Sequence, residues 1–418
     1  MHVVVAGQGY VGLPLAVRAA EMGHRVVGYD VDRHRVQQIA AGGSHVEDVA
    51  SVRIRAVLDS GAYSVTAEAA ELAPFDIAVI TVPTPLRGGV PDLTHVESCA
   101  HTLGEHLRPG ATVVLESTTY PGTTEELLLP ILEKTSGLIA GCDFHLGYSP
   151  ERIDPGNARW RLENTPKLVS GINADSLKAV EAFYGQIVDR TVPVSSPRTA
   201  ELTKLLENTF RHVNIALVNE IAMLARPLGV NSWEAIDAAA TKPFGFLRFN
   251  PGPGVGGHCL PIDPSFLSWR VERTLGRAFR FVELANDVNS HMPDYVVRRL
   301  MEGFNTRRMA VSGSRVLLLG LAYKANTADS RESPSARVAE LLLDLGAEVR
   351  GADPHVVDDI RTDPRLIRVE ATAVEIAASD AVVLLTDHAG FDYEAVLEHA
   401  SYVLDCRNRL SGANVDVL

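Results

Sequence analysis

The chain has 418 residues, enough for two or three domains with cores of their own, and is 46% hydrophobic and 22% charged with no low-complexity tract. A formal charge of −13 argues against general nucleic-acid binding, which needs a positive face for phosphate, but leaves room for a local basic pocket around a small phosphorylated ligand. No window approaches the ~20 apolar residues of a membrane span. The first residues enter a strand at once rather than a secretory signal. Cys99, Cys142, Cys259 and Cys406 form no CxxC pair. A cytoplasmic protein with reduced thiols is expected, with no zinc site, disulfide framework or nucleic-acid or membrane partner.

His2 to Ala6 reads as a short apolar strand, followed by Gly7, Gly9 and Gly12 in G-x-G-x-x-G spacing. Leu13 to Met22 has helical apolar spacing, Gly23 stops it, and Arg25 to Tyr29 is a second strand ending at Asp30. Strand, glycine turn, helix, strand and acid in that order make a dinucleotide fingerprint. The first glycine allows the turn, the second lets the backbone approach a pyrophosphate, and the third lets helix and strand pack closely. Asp30 is expected to accept from the adenosine ribose and to repel a 2′-phosphate, favouring NAD over NADP. Arg33 and Arg35 weaken that preference, and Arg35 could equally hold the adenosine end. The other reading is a glycine turn in an α/β domain without a ligand.

"DIAVITVPTP", "TVVLESTTYPGTT" and "FHLGYSPERIDPG" continue as apolar strands ending in polar loops. In an open parallel sheet those carboxyl ends face the ligand crevice, which would put Thr118 and Glu151 near each other and near the cofactor. Both residue types also cap helices, and that reading stays open. Thr199 to about Leu228 reads as one long buried helix. On it Lys204, Asn208 and Arg211 share a polar stripe, either functional or simply solvated. Lysine occurs at only six positions, so Lys204, Lys242 and Lys324, each in a motif-like segment, become candidates for roles that arginine cannot fill. "NPGPGVGGHCLPIDP", residues 250–264, crowds glycine and proline around Cys259, with Asp263 four residues on. The last hundred residues repeat strand, loop, helix, strand and acid, ending at Asp353, with a basic loop that suits another nucleotide.

Taken in order, "GQGYVG", "ESTTYPGTTEE", "YSPERIDPG", "AELTKLLENTFRHVNIALVNE", "PGPGVGGHCLPIDP", "LGLAYKANTADSRESPS" and "DCRN" resemble the UDP-glucose/GDP-mannose dehydrogenase family over nearly the whole chain. "SPERIDPG", "TKPFGF" and "GGHC" resemble its branch acting on UDP-N-acetylglucosamine. Arg248 and Asn250, Ala325 and Ala328, and Cys406 depart from the family pattern; the first two flank the sugar pocket and bear on sugar identity. The resemblance implies an α/β protein of two Rossmann-like doubly wound domains joined by a long central helix in an all-helical middle domain. The expected divisions are 1–195 for NAD, 196–305 for dimerisation and catalysis, and 306–418 for the nucleotide sugar. It also implies a homodimer.

The activity implied is oxidation of a nucleotide-sugar C6 alcohol to the acid with two NAD and no metal. UDP-glucose, TDP-glucose and UDP-N-acetylmannosamine are the alternative substrates. By motif position, Cys259 is the nucleophile that holds the aldehyde as thiohemiacetal and then thioester. Lys204 stabilises oxyanions, Asp263 and Thr118 position water, Glu151 serves acid–base steps and Asn208 holds the reacting end of the sugar. Gly7, Gly9, Tyr10, Val11, Gly12, Asp30, Arg35, Thr84, Thr118 and Arg331 belong to the cofactor site. Glu151, Arg152, Lys204, Asn208, Lys242, Gly256, Lys324 and Arg407 belong to the substrate site. A one-step hydroxy-acid dehydrogenase is the main rival; it needs neither Cys259 in a glycine loop nor a third domain.

Overall fold

The structure is a computed structural model that describes every residue except 47, 73, 155, 156, 158, 258, 259 and 357–362. It divides into two units, Met1–Glu207 with Ser265–Arg277, and Asn208–Pro264 with Ala278–Leu418.

The first unit opens with β1 (His2–Ala6), α1 (Gly12–Glu21), β2 (Arg25–Tyr29), α2 (Arg33–Ala40), α3 (Ser51–Asp59), β3 (Tyr63–Thr66) and β4 (Ile77–Ile80). A small antiparallel hairpin, β5 (Leu86–Arg87) with β6 (Val90–Pro91), comes before α4 (Thr94–His106) and β7 (Thr112–Leu115). Then come α5 (Leu129–Ser136), β8 (His145–Tyr148), β9 (Lys167–Gly171), α6 (Ala174–Tyr184) and β10 (Thr191–Pro193). The strands lie in the order β3-β2-β1-β4-β7-β8-β9-β10. Val3, Val4 and Val5 are buried alike, as the centre of a parallel sheet covered on both faces requires. From α1, Leu13, Leu15, Ala16, Val17 and Ala19 pack into that core.

One pairing departs from the expected parallel sheet. β9 runs antiparallel to β8, so the chain returns at the end of the sheet it has just left, through a loop instead of a crossover helix. That return brings Glu151, just after β8, and Lys167, the first residue of β9, to the same end of the sheet.

The long helix, α7 (Pro197–Ala225), begins in the first unit and ends in the second. It stops three residues short of the expected Leu228 because Pro227 lacks an N–H and disfavours helical backbone before it. Nor is the helix buried all round: Leu202, Leu206, Phe210, Leu217, Ile221 and Leu224 form an exposed apolar stripe. After α8 (Ser232–Ala240), α9 (Asp263–Leu275), α10 (Arg280–Ser290) and α11 (Met292–Thr306), a second sheet begins with β11 (Arg315–Leu319). It continues through α12 (Pro334–Asp344), β12 (Glu348–Ala352), β13 (Ile367–Arg368), α13 (Ala373–Ala377), β14 (Ala381–Leu384), α14 (Tyr393–His399), β15 (Val403–Asp405) and β16 (Val415–Val417). Its order, β13-β12-β11-β14-β15-β16, is parallel throughout and repeats the plan of the first six strands. Among the described residues no helix is long and apolar enough to cross a membrane.

Candidate functional site

In the first unit the glycine turn is shaped by its own neighbours. Gly7 has φ of +94°, and a Cβ there would lie 2.8 Å from the carbonyl oxygen of Thr81. A Cβ on Gly12 would lie 1.8 Å from the carbonyl oxygen of Gly7, so helix and turn can meet only at glycine. Gly9 differs, for a Cβ there would meet nothing within 4 Å. The open space at Gly9 adjoins the start of α1, where Val11 supplies no side-chain cap and helix N–H groups remain for an anion.

Tyr10 is exposed and Val11 half-buried. Asp30, nearly buried, accepts from the backbone N–H of Gln8 at 2.7 Å and of Asp32 at 2.9 Å, and from Arg35 Nη1 at 2.9 Å. A carboxylate has about four acceptor positions, which leaves one for a ribose hydroxyl. Arg35 therefore acts first as the partner of Asp30. Thr84 donates to the carbonyl of Thr118 at 2.8 Å, tying two strand-end loops together. These residues could hold a dinucleotide, with the open space at Gly9 available to its pyrophosphate.

The helix-cap reading of Thr118 and Glu151 does not hold. Thr118 is half-buried in the loop after β7, six residues before the π-helical turn Thr124–Leu128, and no described helix begins near Glu151. Glu151 instead accepts from the N–H groups of Arg152 at 2.6 Å and Ile153 at 2.5 Å. The Arg152 guanidinium donates to Glu207 at 2.6 Å and to the carbonyl of Pro166 at 2.6 Å, and so braces that loop against α7. Burial pushes the Glu151 carboxyl up, but Lys167, a hydrogen bond from Glu116, the Ile153 N–H and the charge of Lys204 outweigh it, and the group is held below the usual carboxylate range. Lys204 is itself 7% exposed, whereas Arg211, further along the supposed stripe, lies in solvent. The solvated reading thus holds for Arg211 and fails for Lys204.

Sequence reasoning did not single out Glu116, Lys167 and Tyr184, all enclosed beside Glu151. Lys167 contacts Glu116 and lies 3.4 Å from Glu151, and the Tyr184 hydroxyl donates to Glu116 at 2.5 Å. The available signal was Glu116 opening the "ESTTY" motif and Lys167 being one of only six lysines.

In the second unit, Asn208 Nδ2 donates to Asp263 Oδ2 at 2.5 Å, and both side chains are buried. Cys259 lies outside the described residues. Around it the glycines answer protein neighbours: a Cβ on Gly256 would lie 2.7 Å from the Glu332 carbonyl oxygen and from Tyr323 Cβ. One on Gly252 would lie 2.7 Å from Arg407 Nη1. The Gly252 N–H donates to Asn219 at 2.9 Å; Asn219 donates to Asn289 at 2.9 Å, and Asn289 donates to the carbonyl of His212 at 3.4 Å. This buried amide chain, which the sequence reading also missed, fastens the glycine loop to α7 and α10.

Arg407 donates to the carbonyl of Leu385 at 2.6 Å. Arg331 makes a two-pronged pair with Asp329 at 2.8 and 2.6 Å, and Lys324 is half-buried in the same loop. Lys242 is exposed, with its ammonium 4.9 Å from the centre of the Phe244 ring. Arg248, one of the departures beside the glycine loop, folds back onto Asp237 at 2.6 Å and contacts Asn250. Cys99 and Cys406 are buried thiols pushed up to about 12, which makes them inert. No group of side chains among the described residues could hold a metal ion.

Three domain models of a single family match the chain: the NAD binding domain of the UDP-glucose/GDP-mannose dehydrogenase family at residues 1–188, its central domain at 198–291 and its UDP binding domain at 317–412. The UDP-N-acetyl-D-mannosamine dehydrogenase of Pyrococcus horikoshii is 37% identical over 94% of this chain and 90% of its own. The UDP-N-acetyl-D-glucosamine 6-dehydrogenase of Pseudomonas aeruginosa is 35% identical over 94% of this chain and 91% of its own. The solved structure of UDP-D-ManNAc dehydrogenase from Pyrococcus horikoshii matches with a TM-score of 0.90 at 34% identity, over 100% of this chain and 99% of that one.

Proposed function

Because this chain belongs to the UDP-glucose/GDP-mannose dehydrogenase family, we propose that it oxidises the C6 alcohol of a UDP-N-acetylhexosamine to the uronic acid in two steps. Like its family it is an NAD-dependent nucleotide-sugar dehydrogenase. NAD, when bound, supplies the hydride acceptor for each oxidation. The reading rests above all on α7, where Lys204 and Asn208, one turn apart, are both buried polar groups. A surface stripe would leave them solvated.

In this reading Lys204 stabilises the developing alkoxide, and Asn208, held by Asp263, orients the reacting end of the sugar. The Cys259 thiolate adds to the aldehyde carbon, and the adduct becomes a thioester at the second oxidation. Glu151 takes a proton from water positioned by Thr118 and Asp263, water oxygen bonds to the acyl carbon, the C–S bond breaks and the thiolate leaves. Lys324 and Arg407 serve the nucleotide and Arg331 the cofactor. Gly256, Arg152 and Lys242 shape the sugar site. The divisions 1–195, 196–305 and 306–418 are proposed on the same footing.

UDP-N-acetylglucosamine is our first sugar, on the "SPERIDPG", "TKPFGF" and "GGHC" segments. The Pyrococcus relative favours UDP-N-acetylmannosamine as a second reading. The apolar stripe from Leu202 to Leu224 supports a homodimer through α7, which light scattering would report as twice the chain mass. The free thiols of Cys99, Cys142 and Cys406 speak for a cytoplasmic enzyme.

The test is stoichiometry on a panel of nucleotide sugars. Two NADH per sugar consumed, without free aldehyde, is the expected result; one NADH with released aldehyde overturns the two-step reading. Should UDP-glucose or TDP-glucose exceed both N-acetylhexosamine nucleotides tenfold in kcat/KM, about 1.4 kcal/mol of transition-state binding, the sugar is wrong and the chemistry stands.

A further inference from the structure

Three ionisable side chains and a phenol are closed into the first unit where β7, β8, β9 and α6 end or begin. Glu116 follows β7, Lys167 opens β9, Tyr184 ends α6, and all are at most 3% exposed; Glu151, after β8, is 12% exposed. Lys167 contacts Glu116 and sits 3.4 Å from Glu151, so that one ammonium lies against both carboxyls, and the Tyr184 hydroxyl donates to Glu116. Enclosing such a group is costly, and well-packed apolar residues of similar volume generally hold a fold together equally well. The cluster therefore asks for a purpose beyond stability.

We propose that Glu116 and Lys167 are positioning residues for Glu151, forming with it a charge-balanced unit in which Glu116 keeps the one shared proton, Lys167 stays an ammonium and Glu151 is left as a fixed carboxylate. The proposal rests on the reading of Glu151 as the acid–base group. Proximity to Lys167 alone would ionise Glu116 first. What decides the other way is the remaining company of each carboxyl. Among the described residues Glu116 has Lys167 and Tyr184, whereas Glu151 also receives two backbone N–H bonds and the field of Lys204 from α7. Arg152, beside Glu151, is neutralised by Glu207 of α7. Burial accordingly drives the Glu116 carboxyl up despite Lys167, and Glu151 ends lower. Lys167 is disfavoured by burial, but the two carboxyls more than restore its charge. A base kept ionised by a neighbour that keeps the proton is ready to take one from water and needs no proton exchange with solvent beforehand.

The experiment titrates Glu151 directly, by infrared difference of the carboxylate band against Glu151→Gln, alongside the pH profile of kcat and the melting temperature. Lys167→Met is expected to raise the Glu151 titration and the acid limb of kcat by at least about one pH unit, because the countercharge is lost. Glu116→Leu should raise both less, and Glu116→Gln, which keeps a neutral donor to Glu151, should keep the wild-type titration. A purely structural role would lower melting temperature and kcat without moving either titration, and that result overturns the proposal. Should Lys167→Met fail to fold, Glu116→Gln and Glu116→Leu still decide, and equal titrations in the two overturn it. An infrared shift with an unmoved kcat limb upholds the unit and instead removes Glu151 from the chemistry.

Discussion

The two sheets of this chain start from the same backbone plan and use it differently. Gly7 and Gly320 have φ of +94° and +92°; each packs against a threonine, Thr81 and Thr386, and each donates its N–H to the end of the second strand, at Tyr29 and Ala352. In both, the next residue donates its N–H to the acid after that strand, Gln8 to Asp30 and Leu321 to Asp353, each at 2.7 Å. The third position then separates them. Gly9 opens onto free space, whereas Ala322 is fully buried and its N–H also goes to Asp353.

The two acids follow suit. Asp30 has three donors among the described residues and room for a fourth. Asp353, its side chain fully enclosed, takes Leu321, Ala322, His355, Val356 and the His388 ring, five donors among the described residues, and has nothing left for a ligand. One turn and one acid thus leave an open seat in the first sheet, the one we propose for the cofactor, and make an internal staple in the second. A UDP binding domain model at 317–412 agrees with a nucleotide held otherwise than by that acid.

The comparison breaks hardest at the staple. Asp353→Ala leaves several enclosed donors without an acceptor and is expected to cost about 3–5 kcal/mol in denaturant unfolding. The same change at Asp30 should cost far less. Burial alone would raise the Asp353 carboxyl, but His388 and the backbone N–H groups hold it well below the usual range. A depressed folded-state value means that its stability is complete above the unfolded value, about pH 3.9, and is lost as pH falls further. Asp353→Asn should therefore flatten the acid-unfolding slope below about pH 4. If the slope is unchanged, Asp353 is not the staple.

The third position gives the next largest effect. Gly9→Val places its Cβ where no atom lies within 4 Å, so the fold should keep its melting temperature to within about 2 °C while NAD affinity falls at least about 100-fold, roughly 2.7 kcal/mol. Ala322→Gly in the second sheet should create no NAD affinity, because Asp353 stays saturated. Equal NAD binding by wild type and Gly9→Val would move the pyrophosphate away from this turn.

Much of this contrast could be read in the chain, because it is local. Glycine spacing, the strand at His2–Ala6 and the acid at Asp30 are fixed by residues within one strand–helix–strand unit. The second acid was equally visible as Asp353, but not its saturation, since His388 is 35 residues away and only the β12–β11–β14 order brings it near. Glu116 and Lys167 are 51 residues apart and meet because β9 turns back antiparallel, a reversal that no periodicity announces. Likewise Asn219 reaches Gly252 across 33 residues of helix and loop, and the residue types alone gave no reason to join them.

The finest test of the comparison is Asp30 itself. Its carboxylate is committed to Gln8, Asp32 and Arg35, so a ribose hydroxyl would be the last donor it can take. Asp30→Ala removes that acceptor and also releases Arg35, whose guanidinium then keeps a 3.6 Å approach to Asp32. A freed arginine beside the ribose suits a 2′-phosphate, since a guanidinium matches phosphate oxygens and the repelling charge has gone. NAD binding should weaken about tenfold, roughly 1.4 kcal/mol, while NADP binding weakens less or improves, narrowing the gap between them. Calorimetry of both cofactors on wild type, Asp30→Ala and Asp30→Ala with Arg35→Ala separates the two contributions. Arg35→Ala should return the cofactor ratio toward NAD without restoring NAD affinity. If the double substitution prefers NADP as strongly as Asp30→Ala alone, Arg35 plays no part in the choice, and the contrast between the two acids rests on acceptor capacity alone.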